Sequence, residues 1–200
     1  MTTPEKVLPI RNRQELESTL AAYRIPTGNW GRDGAKTIDD FWNELQVGES
    51  ALRLTDESEL IRLSWTVKVN VFCRRPGGIF RLVEAGQYEA GNWRPRNLHN
   101  SISEKRRALR HGRLDIGETA VAAARRALKE EIGVRKPLTL RLTKHIVHPP
   151  KKELRPFPDI TTINHTHYFK AVLSNRDFRP YYYELQGKRL TVFVWEEFKE

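Results

Sequence analysis

The 200-residue chain predicts an α/β (α+β) fold: a mixed β-sheet with helices, preceded by a helical extension. Three observations carry this. Branched and aromatic residues recur in partly alternating runs from about residue 52 to the end. A single amphipathic helical pattern before residue 134 separates these runs into two groups. The segment before residue 52 has its apolar residues at helical spacing instead.

Each element follows in order. RQELESTLAAYR sets Leu16, Leu20 and Tyr23 on one helical side, and PTGNWGRDG breaks that helix. Thr37 caps a second helix, TIDDFWNELQ, with Asp39 and Asp40 in the first turn, where the helix dipole favours them. Phe41, Trp42 and Leu45 form its apolar side, and Trp30 and Trp42 read as packing residues. ALRLT and LIRLSWTVKVNVFCRR read as strands. RPGG marks a turn into GIFRLVEAGQY, which makes a hairpin. GNWRPRNLHNSISEKRRALRHGR reads as a long polar, basic stretch, with Arg94 and Arg96 as loop surface or, alternatively, substrate contacts. After the motif helix, LTLRLTKHIV and INHTHYFKAVL read as strands joined by the basic loop HPPKKELRPFP, and KRLTVFVWEEFKE ends the chain as a strand.

Bulk composition narrows the function. With 38% hydrophobic and 30% charged residues, the chain is a folding, soluble type and not a disordered one. Its one cysteine, Cys73, excludes an intrachain disulfide and fits a reducing compartment. The N-terminus has no apolar leader and no segment is apolar enough to span a bilayer, so a cytoplasmic location and no membrane partner are expected. A formal charge of +10 favours anionic partners such as nucleotides and nucleic acid.

The chemistry concentrates in GRLDIGETAVAAARRALKEEIGV, residues 112–134. Val121, Ala124, Leu128 and Ile132 form the stripe expected to pack on the sheet, and Gly133 suits the helix C-cap. Glu130 and Glu131 project from a neighbouring sector, with position 127 between them. The order Gly112, Glu118, Arg126, Leu128, Glu130, Glu131, Gly133, Val134 resembles the Nudix box of the Nudix hydrolase superfamily. Eight of its nine defined positions are met. The ninth, usually glutamate, is Ala127.

The resemblance implies a Nudix-like α/β/α sandwich over residues 58–200, with residues 1–57 as the helical extension. It implies a hydrolase that cleaves a nucleoside diphosphate linked to another moiety, with water attacking phosphorus. By position, Glu130 and Glu131 would bind Mg²⁺ or Mn²⁺, with the Gly112 carbonyl as a further metal ligand. Hard cations of this kind take oxygen ligands and suit a diphosphate. Arg126 would orient the carboxylates or hold the loop, and Glu118 and Gly133 would keep the loop–helix–loop in shape. Arg110 and His111 stand where common Nudix chains have Pro-Gly. With Arg113 and Lys105 they form a basic cluster expected to contact substrate phosphate.

An alanine side chain is neither ligand nor base. Either another carboxylate serves, with Glu104, Glu153 and Asp159 as candidates, or the fold binds a nucleotide or RNA with weak or no hydrolysis. A third reading is that the alanine was introduced to trap a substrate. A homodimer is compatible with the resemblance. Two further features stand apart: the His165/His167 pair lacks partners at zinc-site spacing, and Tyr181, Tyr182 and Tyr183 read as divided between core and rim. The chain ends where many Nudix domains continue into a helix, so the extension is expected to cover the sheet face left open.

Overall fold

The computed structural model describes residues 7–98, 102–109 and 117–199. By its internal contacts the chain divides into two compact units. Neither is one continuous stretch of sequence.

The first unit comprises Met1–Thr66, Lys105–Thr119 and Ile146–Thr166. Helix α1 (Arg13–Ala22) is capped by Asn12, whose side chain accepts from the Glu15 amide at 2.8 Å. Helix α2 (Ile38–Val47) opens with a capping box in which Thr37 and Asp40 satisfy each other's backbone amides. It ends at Gly48, φ +78°, where an added Cβ would lie 2.0 Å from the Leu109 carbonyl oxygen. Only glycine fits that conformation and that approach. Strand β1 (Ser50–Leu54) then pairs antiparallel with the first residues of β2 (Leu60–Arg75). Leu16, Leu20, Trp30, Phe41 and Phe157 share one core cluster, with Trp30 and Phe41 edge-to-face at 5.6 Å. The Trp30 indole N–H donates to the Pro158 carbonyl at 3.0 Å, so the aromatic is buried with its polar atom satisfied.

The second unit comprises Val67–Glu104, Ala120–His145 and His167–Glu200. It holds the rest of β2, then β3 (Gly78–Glu89), β4 (Asn92–Leu98), most of β5 (Ile102–Lys105) and α3 (Ala120–Ile132). Most of β6 (Thr139–Val147), the second half of β8 (Thr161–Leu173), β9 (Tyr181–Gln186) and β10 (Arg189–Glu197) complete it; the two-residue β7 (Lys151–Lys152) belongs to the first unit. The strands run in the order β6-β8-β2-β3-β10-β9, and β4 adds to β3. The architecture is the expected mixed sheet with helices. Val67, Val69 and Val71 from β2 and Phe169 and Ala171 from β8 pack with α3 in one cluster. Alternation on adjacent strands presents them to the same side.

Two expectations need correction. The stretch after Gly91 is not all loop: residues 92–98 and 102–105 form β4 and β5. Among the described residues β4 pairs with β3, an arrangement that tolerates Pro95 and a polar pattern. Gly86 permits the pairing, because a Cβ there would lie 2.4 Å from the Trp93 ring. Val121 is not in the buried stripe of α3; it is 41% exposed near the helix start. Ala123 and Ala127 widen the buried stripe at its opposite edge. No helix among the described residues is long and apolar enough to cross a membrane.

Candidate functional site

The last two turns of α3 set the geometry. Ala123, Ala124, Ala127, Leu128, Glu131 and Ile132 are buried, the i, i+1, i+4 recurrence of a helix lying on a sheet. Glu131 is thus a carboxylate on the core-facing side, 7% exposed. Glu130, turned about 100° from it, is exposed and accepts from Arg126 Nη1 at 3.2 Å. The same guanidinium lies 3.9 Å from Glu104. Arg126 therefore stands between two carboxylates. Gly133 leaves the helix at φ +71°, and its amide donates to the Lys129 carbonyl at 3.1 Å.

In helical projection position 127 lies between the two glutamates. It precedes Glu131 by one turn on the same side and is fully buried in the core cluster. A longer side chain there would have to enter packed apolar surroundings.

Other strands bring carboxylates to Glu131. A bulge breaks the β3–β10 register between Val192 and Phe193, so Glu84 pairs with Phe193 and Gln87 with Thr191. On the other side of β10, Thr191 pairs with Glu184. Paired residues share a sheet face, so Glu84 and Glu184 project together. With Glu131 they line a cavity of about 370 Å³, which Lys68, Arg96 and Arg189 also border. Arg96 lies 3.4 Å from Glu84. Burial, followed by the charges of Glu184, Glu104, Glu84 and Glu130, pushes the Glu131 pKa up to about 9. Desolvation and like charge both disfavour the ionised form. A second cavity, about 520 Å³, meets the same residue: Glu131, Ile132, Gly133, Arg179 and Tyr182 are among its walls.

The remaining expected residues fall as follows. Arg110, His111, Gly112 and Arg113 lie outside the described residues. Lys105 is placed in the first unit, where its Nζ donates to Ser64 Oγ at 2.9 Å and lies 3.5 Å from Glu44. Burial, then the nearby Arg62 charge, lowers its pKa to about 8. Its ammonium is thus engaged in a network with Ser64 and Glu44. Glu118 accepts from the Arg107 amide at 3.1 Å, and its carbonyl accepts from Arg106 Nε at 2.6 Å, so it ties its own segment to residues 106–107. Of the three candidate bases, Glu104 is in the Glu131 neighbourhood. Glu153 and Asp159 belong to the first unit, where Asp159 pairs with Lys152 at 3.2 Å. His167 stacks on His145 at 4.1 Å, and His165 lies beside Trp65. Tyr182 is buried while Tyr181 and Tyr183 are exposed, the division expected.

The NUDIX domain family model matches residues 66–188, more than half of the chain. The chain belongs to the Nudix superfamily. None of the curated proteins compared with it matches. Among solved structures, a Caenorhabditis elegans Ap4A hydrolase binary complex is 19% identical, with a TM-score of 0.39, covering 66% of this chain and 79% of that one. The NUDIX domain of Shewanella oneidensis NrtR complexed with ADP ribose is 12% identical, with a TM-score of 0.37, covering 66% and 70%. For this Nudix chain, Glu84 and Glu184 are the residues that sequence reasoning missed. Each left a trace: a lone carboxylate inside a strand-like run, in LVEAG and YYYELQ.

Proposed function

We propose that this Nudix protein is a divalent-cation-dependent hydrolase of a nucleoside diphosphate linked to a second moiety. The observation that carries the reading is the cavity in which buried Glu131 meets Glu84 and Glu184, with Lys68, Arg96 and Arg189 around it. Carboxylates and cations lining one cavity suit a metal–diphosphate pair.

The donor set fits Mg²⁺ or Mn²⁺. It is all oxygen, and a buried carboxylate among carboxylates is ionised readily only when a positive charge joins it. Among the described residues no three acidic, imidazole or thiolate groups form a ready-made cluster, so binding requires the side chains to close on the ion. Glu131, Glu84 and Glu184 would hold it; when bound, the cation neutralises charge developing on the phosphoryl oxygens. Lys68, Arg96 and Arg189 bind the remaining phosphate oxygens. Arg126 keeps Glu104 and Glu130 in place, and Glu104 takes the proton from the attacking water. Water adds to one phosphorus and the bridging P–O bond breaks, leaving two phosphate-terminated products.

The test is hydrolysis of a panel including ADP-ribose and Ap4A with Mg²⁺ and with Mn²⁺. Cleavage that depends on the cation, and falls on the order of 100-fold in Glu131→Gln, is expected. Ala127 favours a second reading, a Nudix module that binds nucleotide or RNA with weak or no hydrolysis. Cation-dependent nucleotide binding without turnover, in the wild type and in Ala127→Glu alike, would select it.

A further inference from the structure

The cavity of about 520 Å³ that shares Glu131 with the carboxylate cluster has two unlike walls. One is the end of α3, from Lys129 to Gly133; the other is the start of β9, with Arg179 and Pro180 before it. The β9 wall is tied down behind. The Tyr182 hydroxyl donates to the Asp177 carbonyl, and the Trp195 indole N–H donates to the Arg179 carbonyl at 2.7 Å. Tyr181 and Tyr183 alternate with Tyr182 along the strand and stay 59% and 64% exposed. No other ring stacks on either phenol among the described residues. Side chains two residues apart on a strand stand about 6.8 Å apart, about twice the spacing of about 3.4 Å between stacked bases. One planar ring therefore fits between the two phenols. The α3 wall is rich in acceptors. The Gly133 and Val134 amides return to the Lys129 and Leu128 carbonyls at 3.1 and 3.0 Å. The carbonyls of Glu130, Glu131 and Ile132, which close the helix, receive no amide among the described residues.

We propose that this cavity holds the nucleobase of the substrate and selects a base that carries an exocyclic amino group. Tyr181 and Tyr183 take the two faces of the ring. That contact is indifferent to which base enters, because every base has a π-face. The end of α3 makes the choice. Its open carbonyls accept and never donate. They match an amino group, as on adenine or cytosine, and stay unmatched against a ring edge that lacks one. Lys129 and Arg179 border the same cavity and are placed to meet the phosphate attached to that nucleoside. Glu131 borders both cavities, so the phosphates run from this base toward the carboxylates; only that direction rests on the proposed hydrolysis.

Titration calorimetry of the full chain in EDTA tests this with three probes. They are AMP, the purine ribonucleoside monophosphate that lacks only the amino group, and ribose phosphate, which lacks the base. AMP should bind about tenfold or more tighter than either of the others. Tyr181→Ala and Tyr183→Ala should each weaken AMP about tenfold, while Tyr181→Phe and Tyr183→Phe keep wild-type affinity. Both positions are exposed, so Tm should hold in all four variants. Ribose phosphate or the amino-free nucleotide binding as tightly as AMP, or alanine variants that bind AMP like wild type, would each overturn the proposal. Turnover is read separately. A protein that binds AMP in this way and cleaves no diphosphate would contradict the proposed hydrolysis and leave the base site standing. Cation-dependent cleavage with no preference for the amino group would do the reverse.

Discussion

Two glutamates in this protein are almost equally buried, and their surroundings treat them in opposite ways. Glu44, on α2 and 4% exposed, faces Arg62 at 2.7 Å, Lys36 at 2.6 Å and Ser50 at 2.6 Å. Burial alone would raise its pKa, but the Arg62 and Lys105 charges outweigh it and hold it at about 2. Glu131, 7% exposed, has burial and four carboxylates acting in the same direction, and stands at about 9. Burial is common to both, so the neighbours decide. A carboxylate supplied with permanent cations is part of the scaffold. One supplied with more carboxylates is set for a positive charge that arrives from outside.

Removing the cation partner of the first glutamate should have the largest effect. Arg62→Leu leaves a buried carboxylate without its closest guanidinium and should cost about 3–5 kcal/mol in urea unfolding. The double variant Glu44→Leu/Arg62→Leu should recover much of that loss, since a well-packed apolar pair can replace a buried ion pair.

Adding charge beside the second glutamate comes next. Ala127→Glu places a carboxylate in a fully buried site one turn before Glu131, and should cost about 2–3 kcal/mol in EDTA. Mn²⁺ should return part of that loss, because the new group can share the ion. Unchanged stability in EDTA would contradict the buried placement of position 127.

The pH dependence sharpens the contrast. Glu44 has a depressed folded pKa, so its stabilisation is full above 4.5 and is lost as pH falls through about 2, on the order of 3 kcal/mol in all. Glu131 has a raised folded pKa, so it costs nothing below 4.5 and progressively more as pH rises toward 9. In EDTA, thermal unfolding should therefore find maximal stability in mildly acidic buffer, and Glu44→Gln should remove the acid limb. Glu131→Gln in EDTA at neutral pH removes the Glu131 cost and should stabilise by up to about 3 kcal/mol, the linkage free energy between pH 4.5 and pH 7. Deleting residues 1–57 addresses the extension: loss of solubility or a lower Tm is expected, because Leu16, Leu20 and Phe41 share a core with Phe157.

The motif helix was legible because its determinants are local: spacing within one α-helix and a terminal glycine. The β2–β3 hairpin and the helix cap at Thr37 were legible for the same reason. Glu84 and Glu184 were not, because their meeting depends on the register of three strands and on one bulge. Nothing local announces that register. The partners of Lys105 and Arg62 were hidden for a related reason. A charge in a basic or strand-like run looks like surface until the carboxylate that compensates it, here from α2, is known. β4 hid behind its own polarity, since a strand laid against a single neighbour needs no continuous apolar pattern.

Titration with Mn²⁺ at neutral pH, read by thermal unfolding of wild type and Glu131→Gln, tests the central claim most directly. The wild-type Tm should rise by several degrees and saturate with cation, and the variant's should hardly change. An equal rise in both proteins, or none in the wild type, would show that the cluster around Glu131 does not hold the cation.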